Sequence, residues 1–170
     1  VQEMADCVYR AFDLADEYRT PVMVLADGML GQMMEPVVLP DPKESLPEKP
    51  WATTGHKGKR AHNIVNSLYL TADALEKLNI ERFERYEVIR EKEQRSEAFM
   101  LDDAEIVVVA FGASSRVARS AVVAAREEGV KVGLLRPITL WPFPTKAIED
   151  VLSHAKAFLS VEMNMGQMVD

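Results

Sequence analysis

A strand–turn–helix–strand pattern between residues 104 and 144 constrains the fold of this chain more than any other stretch. Residues 106–111 form an unbroken apolar and largely β-branched run, which is typical of a strand buried on both faces. Gly112 ends that run, and an amphipathic helical pattern follows as far as Gly129, whose tolerance of positive φ suits a helix end. A second apolar run begins at Val132. Because a helix between two such strands joins parallel neighbours, the sequence predicts an α/β fold.

The same alternation extends the predicted sheet toward both ends of the chain. An amphipathic helix over residues 1–19 precedes an apolar run at 22–26, and a helix over 145–154 precedes a run at 157–162. Each run is predicted to be a strand. The expected architecture is therefore a mainly parallel sheet with flanking helices, whose strands lie at 22–26, 106–111, 132–135 and 157–162.

Proline spacing marks a break between two parts of the chain. Between residues 36 and 58, a dense set of prolines excludes regular helix and central strand. These prolines are Pro36, Pro40, Pro42, Pro47 and Pro50. We predict a short helix at 29–35 and then a surface linker at 37–58 between two α/β units. Beyond it, residues 71–100 carry a broken apolar stripe among alternating charges. That pattern predicts one long helix, an arm packed against the α/β core or a partner subunit.

Composition excludes several classes of function. The net charge of −7 argues against binding to nucleic acid or to an anionic membrane, since both require a cationic surface. No apolar run approaches the ~20 residues of a membrane span, and no signal peptide opens the chain. Cys7 is the only cysteine, so an internal disulfide and a metal or cluster site held by several thiolates of this chain are excluded. We expect a reduced, cytoplasmic setting.

Several candidate binding residues follow predicted strands, where open α/β sheets bind ligands. Asp27 and Gly28 follow the 22–26 run, either as a ligand-facing loop or as a turn formed for backbone reasons. Gly112 supplies one glycine where a dinucleotide fingerprint has three, which argues against a dinucleotide site. The second glycine of a nucleophile elbow is also absent, so Ser114 or Ser115 is predicted to cap a helix rather than to act as a nucleophile. The start of that helix could still hold an anion.

Three further polar residues, Arg136, Glu162 and Asn164, also follow strands. A structural role is favoured for each; Arg136, for example, could tether a neighbouring loop instead of a ligand. A basic cluster at 53–62 is either an anion site for phosphate or carboxylate or a solvated loop, and the solvated loop is favoured. Its members are His56, Lys57, Lys59, Arg60 and His62. No catalytic residue and no metal ligand is assigned.

Three stretches carry a resemblance to a known family. They read ADGMLG at 26–31, IVVVAFGASSRVAR at 106–119, and GLLRPITLWPFP at 133–144 followed by VEMNMGQM. In that order they resemble the alpha subunit of the 2-oxoacid:ferredoxin oxidoreductases, most closely the branched-chain 2-oxoisovalerate type. The similarity extends over nearly the whole chain, and the RPITLWPFP run is its most specific part.

The resemblance implies a domain organisation. Residues 1–36 would be the end of a thiamine-pyrimidine-type domain, and residues 59–170 a domain like the carboxy-terminal domain of transketolase. The family's enzyme decarboxylates a 2-oxo acid on thiamine diphosphate, passes electrons through iron–sulfur clusters to ferredoxin and transfers the acyl group to coenzyme A. Candidate cleft residues would be Asp27, Gly28, Gly31, Gly112, Ser114, Arg136, Glu162 and Asn164.

The resemblance also implies a division of labour between chains. The thiamine-activating glutamate would lie upstream of Val1, the beta subunit would hold the diphosphate and its magnesium, and other chains or domains would hold the clusters. We therefore expect a piece of a longer protein that binds no cofactor alone, is inactive alone and serves assembly with beta and other subunits. Two alternatives stay open: a stand-alone module binding coenzyme A or a phosphate ligand, and a domain of another transketolase-type thiamine enzyme, such as an acyl-dehydrogenase beta subunit.

Overall fold

The computed structural model of the chain describes residues 1–46 and 48–170; Pro47, one of the linker prolines, lies outside the described residues. The chain divides into two compact units, Val1–Arg85 and Tyr86–Asp170. The elements in chain order are α1 (Gln2–Glu17), a 3₁₀ helix (Leu30–Gln32), α2 (Ala72–Lys92), β1 (Ser96–Phe99), β2 (Ile106–Ala110), α3 (Gly112–Glu127), β3 (Val132–Pro137), α4 (Thr145–Val151) and β4 (Ala157–Val161). None of the helices in the described part of the chain has both the length and the apolarity to cross a membrane.

A four-stranded sheet in the order β1-β3-β2-β4 forms the centre of the second unit. The central strand β2 is parallel to β3 and β4, while β1 pairs antiparallel with β3 at one edge. Ile106 of β2 stands opposite Val132 of β3 and Ala157 of β4, so the three parallel strands begin at one level. The predicted α/β fold, a mainly parallel sheet with flanking helices, is confirmed.

The unbroken apolar sequence of β2 is explained by burial on both of its faces. Successive strand side chains point to opposite faces. Val107 and Val109 pack on one face with Val151 at the end of α4. Val108 and Ala110 pack on the other face, in a cluster completed by Ala118 and Val122 of α3 and Val132 and Leu134 of β3. Two helices thus cover the two faces of one strand, which is why polar and apolar residues do not alternate along β2.

Several predicted elements are confirmed with small changes at their ends. The helix predicted over residues 1–19 is α1, that over 145–154 is the shorter α4, and the strand predicted at 157–162 is β4. α3 ends at Glu127, and Gly129 has φ +86°, as expected of a glycine that terminates a helix. The short helix predicted at 29–35 is a single 3₁₀ turn over Leu30–Gln32.

The single helix predicted over residues 71–100 is wrong in its last part. α2 ends at Lys92, and residues 96–99 form β1. The pairing places Glu97 opposite Arg136 and Phe99 opposite Leu134 of β3. Hydrogen bonding to the sheet edge therefore overrides the local helical pattern. The partner strand lies about 38 residues further along the chain, and short-range periodicity cannot reveal a partner at that separation.

The strand predicted at 22–26 is also wrong for the described chain. These residues lie between α1 and the 3₁₀ helix without forming a strand or a helix. Their side chains are largely exposed, with Met23 at 80% and Leu25 at 69%. No strand of the described residues pairs with them, and an apolar run without a neighbouring strand has no sheet to join.

The proline-rich segment after residue 35 follows α1. Gln2 exchanges two hydrogen bonds with the Val38 backbone, at 3.0 and 2.8 Å, and the Tyr9 hydroxyl donates to the Asp41 carbonyl at 3.2 Å. Further along, Lys49 pairs with Asp16 at 2.5 Å. Because these contacts succeed one another along the helix, the segment is attached to one face of α1 by polar groups. The predicted domain limits at residues 36 and 58 stay predictions.

Gly133 in β3 marks a close backbone approach, and its substitution is expected to destabilise the second unit. A Cβ built there would lie 2.4 Å from the Met100 carbonyl oxygen and 2.8 Å from Leu101 Cδ2. Because a backbone oxygen cannot rotate away as a side chain can, Gly133→Ala should lower the free energy of unfolding by about 1–3 kcal/mol. Urea unfolding of the protein measures this. The matched control, Val117→Ala on the exposed side of α3, should stay within about 0.5 kcal/mol of the parent; equal stability of the Gly133 variant would contradict the prediction.

Candidate functional site

Five of the candidate residues lie near one edge of the sheet in the second unit. Since β2, β3 and β4 are parallel, their carboxyl ends meet at the same edge. Gly112 and Ser114 follow β2, Arg136 is the second-last residue of β3, and Glu162 and Asn164 follow β4. The remaining candidates, Asp27, Gly28 and Gly31, belong to the other unit. The candidate residues therefore fall into two sets, one in each unit.

The β2–α3 turn differs from its prediction in how the helix begins. Gly112 has φ +57° and is itself the first residue of α3, and the N-cap position is Phe111, without a side-chain cap. Ser114 and Ser115 therefore lie inside the first turn, and both are buried. The Ser115 hydroxyl donates to the Gly112 carbonyl at 2.7 Å. The prediction that Ser114 or Ser115 caps the helix is wrong, because the helix already begins at Gly112, and both serines lie within its first turn.

Arg136 is engaged with the edge strand. Its Nε lies 2.8 Å from Oε2 of Glu97, and Nη1 of Arg119 lies 2.6 Å from Oε1 of the same carboxylate. The Arg119 guanidinium also stands 4.0 Å from the centre of the Phe99 ring. The hydrogen bond from Arg119, together with the charge and hydrogen bond of Arg136, outweighs burial and holds the pKa of Glu97 below its usual value. Arg136 therefore pairs with a residue of the neighbouring strand β1, whereas the structural alternative expected a neighbouring loop.

Glu162 organises the loop that follows β4. Its carboxylate accepts hydrogen bonds from the Ser160 hydroxyl and the Met168 N–H, both at 2.8 Å, and from the Val169 N–H at 3.1 Å. Burial raises the pKa of Glu162, but the hydrogen bonds from these groups and from Asn164 together leave that pKa lowered. A carboxylate that accepts one hydrogen bond from β4 and two from the loop after it anchors that loop to the end of the strand.

Asn164 forms the turn inside that loop. Its Oδ1 accepts hydrogen bonds from the N–H groups of Gly166 at 2.8 Å and Gln167 at 3.0 Å, the pattern of an Asx turn. The amide therefore supports the local backbone, as Glu162 does.

The turn at Asp27 combines a hydrogen-bonded carboxylate with unobstructed glycines. Oδ1 of Asp27 accepts the Leu30 N–H at 2.7 Å, and its carbonyl accepts the Gly31 N–H at 3.3 Å, so Asp27 holds the start of the 3₁₀ helix. Gly28 has no positive φ, and an added Cβ would meet nothing within 4 Å. Within its own unit the fold does not require glycine at this position, whereas Gly112 is required by its φ.

The basic loop at 53–62 is held together by its own groups. The Arg60 guanidinium donates to the carbonyls of Ala52 and Gly55, each at 3.1 Å, and to that of Ala61 at 3.0 Å. The rings of His56 and His62 lie 4.2 Å apart. Arg60 therefore closes the loop through backbone carbonyls.

Sequence reasoning missed Glu97 and Arg119, the partners of Arg136. Glu97 fell inside the predicted long helix, and only its place opposite Arg136 in the sheet gives it a role. A concave surface at the opposite, amino-terminal edge of the sheet was also not predicted. It is lined by Glu105, Ile106, Gly129, Val130, Lys131 and Lys156. Its one carboxylate, that of Glu105, pairs with both lysines, with Lys156 at 2.6 Å and with Lys131 at 3.8 Å, so the charged groups together carry a single positive charge.

The Glu97 network predicts a pH dependence of stability. Because the pKa of Glu97 is lowered on folding, its contribution is complete above the unfolded value near 4.5 and is lost as the pH falls through the folded value. The free energy of unfolding, measured by urea titration from pH 6 to about pH 3, should fall less steeply for Glu97→Gln than for the parent. Glu128→Gln, at an exposed position after α3, is the control and should retain the parental slope. A parental slope in Glu97→Gln would contradict this assignment.

Known proteins resemble this chain over nearly its whole length. The chain is 52% identical over 169 residues to the ketoisovalerate oxidoreductase subunit VorB of Methanothermobacter thermautotrophicus, covering 99% of this chain and 48% of that protein. It is 32% identical over 201 residues to the 2-oxoglutarate synthase subunit KorA of the same organism, covering 99% of this chain and 52% of that protein. The chain thus spans about half the length of the curated relatives it matches.

A solved structure and two family models complete the comparison. The fold resembles a 2-oxoglutarate:ferredoxin oxidoreductase from Magnetococcus marinus, solved with 2-oxoglutarate, coenzyme A and succinyl-CoA bound, with a TM-score of 0.68 and 20% identity over 95% of this chain and 34% of that one. Residues 104–170 match pyruvate:ferredoxin oxidoreductase core domain II. Residues 1–100, more than half of the chain, match the thiamine diphosphate-binding model of pyruvate flavodoxin/ferredoxin oxidoreductase. The chain therefore belongs to the pyruvate flavodoxin/ferredoxin oxidoreductase family, as the resemblance of its three motifs indicated.

Proposed function

We propose that the full-length protein is the alpha subunit of a 2-oxoacid:ferredoxin oxidoreductase that acts on 2-oxoisovalerate and related branched-chain 2-oxo acids. One observation carries the proposal: the chain is 52% identical to a ketoisovalerate oxidoreductase subunit but 32% identical to a 2-oxoglutarate synthase subunit of the same organism. The proposed reaction is oxidative decarboxylation of the 2-oxo acid to an acyl-CoA with reduction of ferredoxin.

Thiamine diphosphate is the cofactor in this proposal, and when bound it supplies the carbanion chemistry of decarboxylation. Among the described residues, no three histidine, cysteine, aspartate or glutamate side chains come together as metal ligands. The proposal also includes a site for the magnesium that would hold the diphosphate. We assign that site, and the iron–sulfur clusters, to other chains or domains of the complex.

The proposed contribution of this chain is assembly and the placement of the Asp27 turn beside the active-site cleft. The Asp27 carboxylate fixes the turn through the Leu30 N–H at 2.7 Å. Gly28 leaves open space where a side chain would stand, although its own unit does not require it. A residue without a side chain in a fixed turn suits close approach of a ligand or of a partner's backbone.

The second unit supports the assembly part of the proposal. Its candidate polar groups are occupied by internal partners: Arg136 by Glu97, Glu162 by the loop after β4, and Asn164 by the turn at Gly166. We propose that this unit, within a transketolase-like domain at 59–170, packs against partner subunits. Residues 1–36 and 37–58 keep their proposed roles as the end of the thiamine-pyrimidine-type domain and as a linker.

The assembled complex provides the test of the proposed reaction. The full-length chain, co-purified with its natural partners, should reduce ferredoxin when supplied with thiamine diphosphate, coenzyme A and 2-oxoisovalerate. Its kcat/KM should be higher for 2-oxoisovalerate than for 2-oxoglutarate or pyruvate. Residues 1–170 alone should turn over none of them. Preference for 2-oxoglutarate would overturn the substrate proposal, and turnover by residues 1–170 alone would overturn the assembly proposal.

Substitution of Gly28 tests the role of the Asp27 turn. Gly28→Val should leave the free energy of unfolding nearly unchanged, since nothing lies within 4 Å of its Cβ position. In the complex it should lower kcat/KM by about ten-fold or more, because a misplacement of about 1 Å near reacting groups costs at least this much. Met34→Ala, at a side chain that is 98% exposed, is the control and should keep the parental kcat/KM. Parental activity in Gly28→Val would contradict the proposed placement of the Asp27 turn beside the cleft.

A further inference from the structure

Ser114 differs from the other polar candidates at the carboxyl edge of the sheet, because its hydroxyl group has no internal partner. The residue is 8% exposed, yet its Oγ forms no hydrogen bond with any described residue. That atom still reaches solvent, since no fully buried side-chain oxygen among the described residues lacks a partner. Buried polar groups in proteins are nearly always hydrogen-bonded, so the free hydroxyl points to a ligand or a water molecule as its partner.

The place of Ser114 in α3 aims this hydroxyl at the amino-terminal end of the helix. Ser114 is the third residue of α3. It lies one and two turns before Ala118 and Val122, which pack against β2 and β3. Residues four apart share one face of a helix, and each Cα–Cβ bond tilts toward the helix amino terminus. The Ser114 side chain therefore lies on the sheet-facing side of the first turn, beside the carboxyl end of β2.

The backbone of the same turn supplies three more donors. The N–H groups of Gly112, Ala113 and Ser114 bond to no acceptor among the described residues, and the Ser115 N–H is the first that does so, to the Phe111 carbonyl at 3.3 Å. Such free N–H groups carry the partial positive charge of a helix amino terminus. α3 has neither a side-chain cap nor an acidic residue in its first turn to offset that charge. Three N–H groups and one hydroxyl group are thus available at one helix end.

The surroundings of the turn leave room for a ligand. A Cβ added to Gly112 would meet nothing within 4 Å. Two carboxylates at the same edge are engaged elsewhere: that of Glu97 pairs with two arginines, and that of Glu162 accepts two N–H groups of the loop after β4. The turn therefore combines open space with free donors at the edge where open α/β sheets bind ligands.

We propose that the amino-terminal end of α3 binds a phosphate group through the N–H groups of Gly112, Ala113 and Ser114 and the hydroxyl of Ser114. Phosphate fits these donors because its oxygens accept several hydrogen bonds and its negative charge is favoured at a helix amino terminus. The phosphate group is that of free inorganic phosphate or of a nucleotide, which offer the same chemistry to the four donors. The site lies within the second unit and does not depend on the substrate or cofactor of the proposed function.

Titration of the isotope-labelled full-length chain with inorganic phosphate tests the site. At constant ionic strength, the amide resonances of Gly112, Ala113 and Ser114 should shift and reach half-saturation below about 10 mM phosphate. The amide of Gly129, beyond the other end of α3, is the control position and should not move. Chloride is the control ion and should shift none of these resonances. Shifts that fail to saturate, or that chloride reproduces, would overturn the proposal.

Substitution of Ser114 separates a ligand donor from a structural group. Ser114→Ala should weaken phosphate binding by about ten-fold, because it removes a hydrogen bond to a charged group. Without phosphate it should not lower the midpoint of urea unfolding, since the hydroxyl has no partner in the fold. Ser120→Ala, the same change further along α3, is the matched control and should keep the parental phosphate affinity. Parental affinity in Ser114→Ala would contradict the proposed site.

Adenosine monophosphate distinguishes the two sources of the phosphate group. Tighter binding of this nucleotide than of inorganic phosphate, with the same amides shifted, would identify a nucleotide as the ligand. Equal or weaker binding would identify free phosphate, and either result supports the site. Absence of binding by both compounds would overturn it. None of these measurements uses substrate turnover, so failure here is distinguishable from failure of the proposed reaction.

Discussion

Burial of β2 on both faces is the constraint on which the second unit depends. Val107 and Val109 face the cluster that includes Val151, whereas Val108 and Ala110 face the cluster under α3. The strand must therefore have a helix on each side and a parallel strand at each edge. That arrangement fixes the carboxyl ends of β2, β3 and β4 at one edge and so decides where the polar residues that follow these strands meet.

The polar groups of Arg136, Glu162 and Asn164 at that edge have partners within the second unit. The Glu97 carboxylate forms ion pairs with Arg136 and Arg119, and it thereby joins the antiparallel edge strand to β3 and α3. The Glu162 carboxylate accepts hydrogen bonds from backbone N–H groups of the following loop. Groups with satisfied partners in their own unit contribute less to ligand binding, because a ligand would have to compete with these existing hydrogen bonds.

The first unit presents the contrasting situation. Its helix α1 is attached to the proline-rich segment by polar contacts, while its apolar residues at 22–26 lack a sheet. Membership of the pyruvate flavodoxin/ferredoxin oxidoreductase family places this chain among proteins about twice as long. A unit that buries so little by itself is consistent with the proposed role in a larger assembly.

The sequence alone determined the elements whose signals are local: the two-faced apolar run of β2, the helix end at Gly129, the amphipathic α1, and the strand β4. It also located the polar residues that follow strands, since strand order and direction bring them to one edge. Only the tertiary structure decided the remainder. Residues 96–99 became a strand through pairing with β3, Ser114 moved inside a helix because Gly112 starts it, and residues 22–26 stayed unpaired because no described strand adjoins them. Pairing joins residues distant in sequence, so a local pattern can supply the propensity for a strand but not its partner.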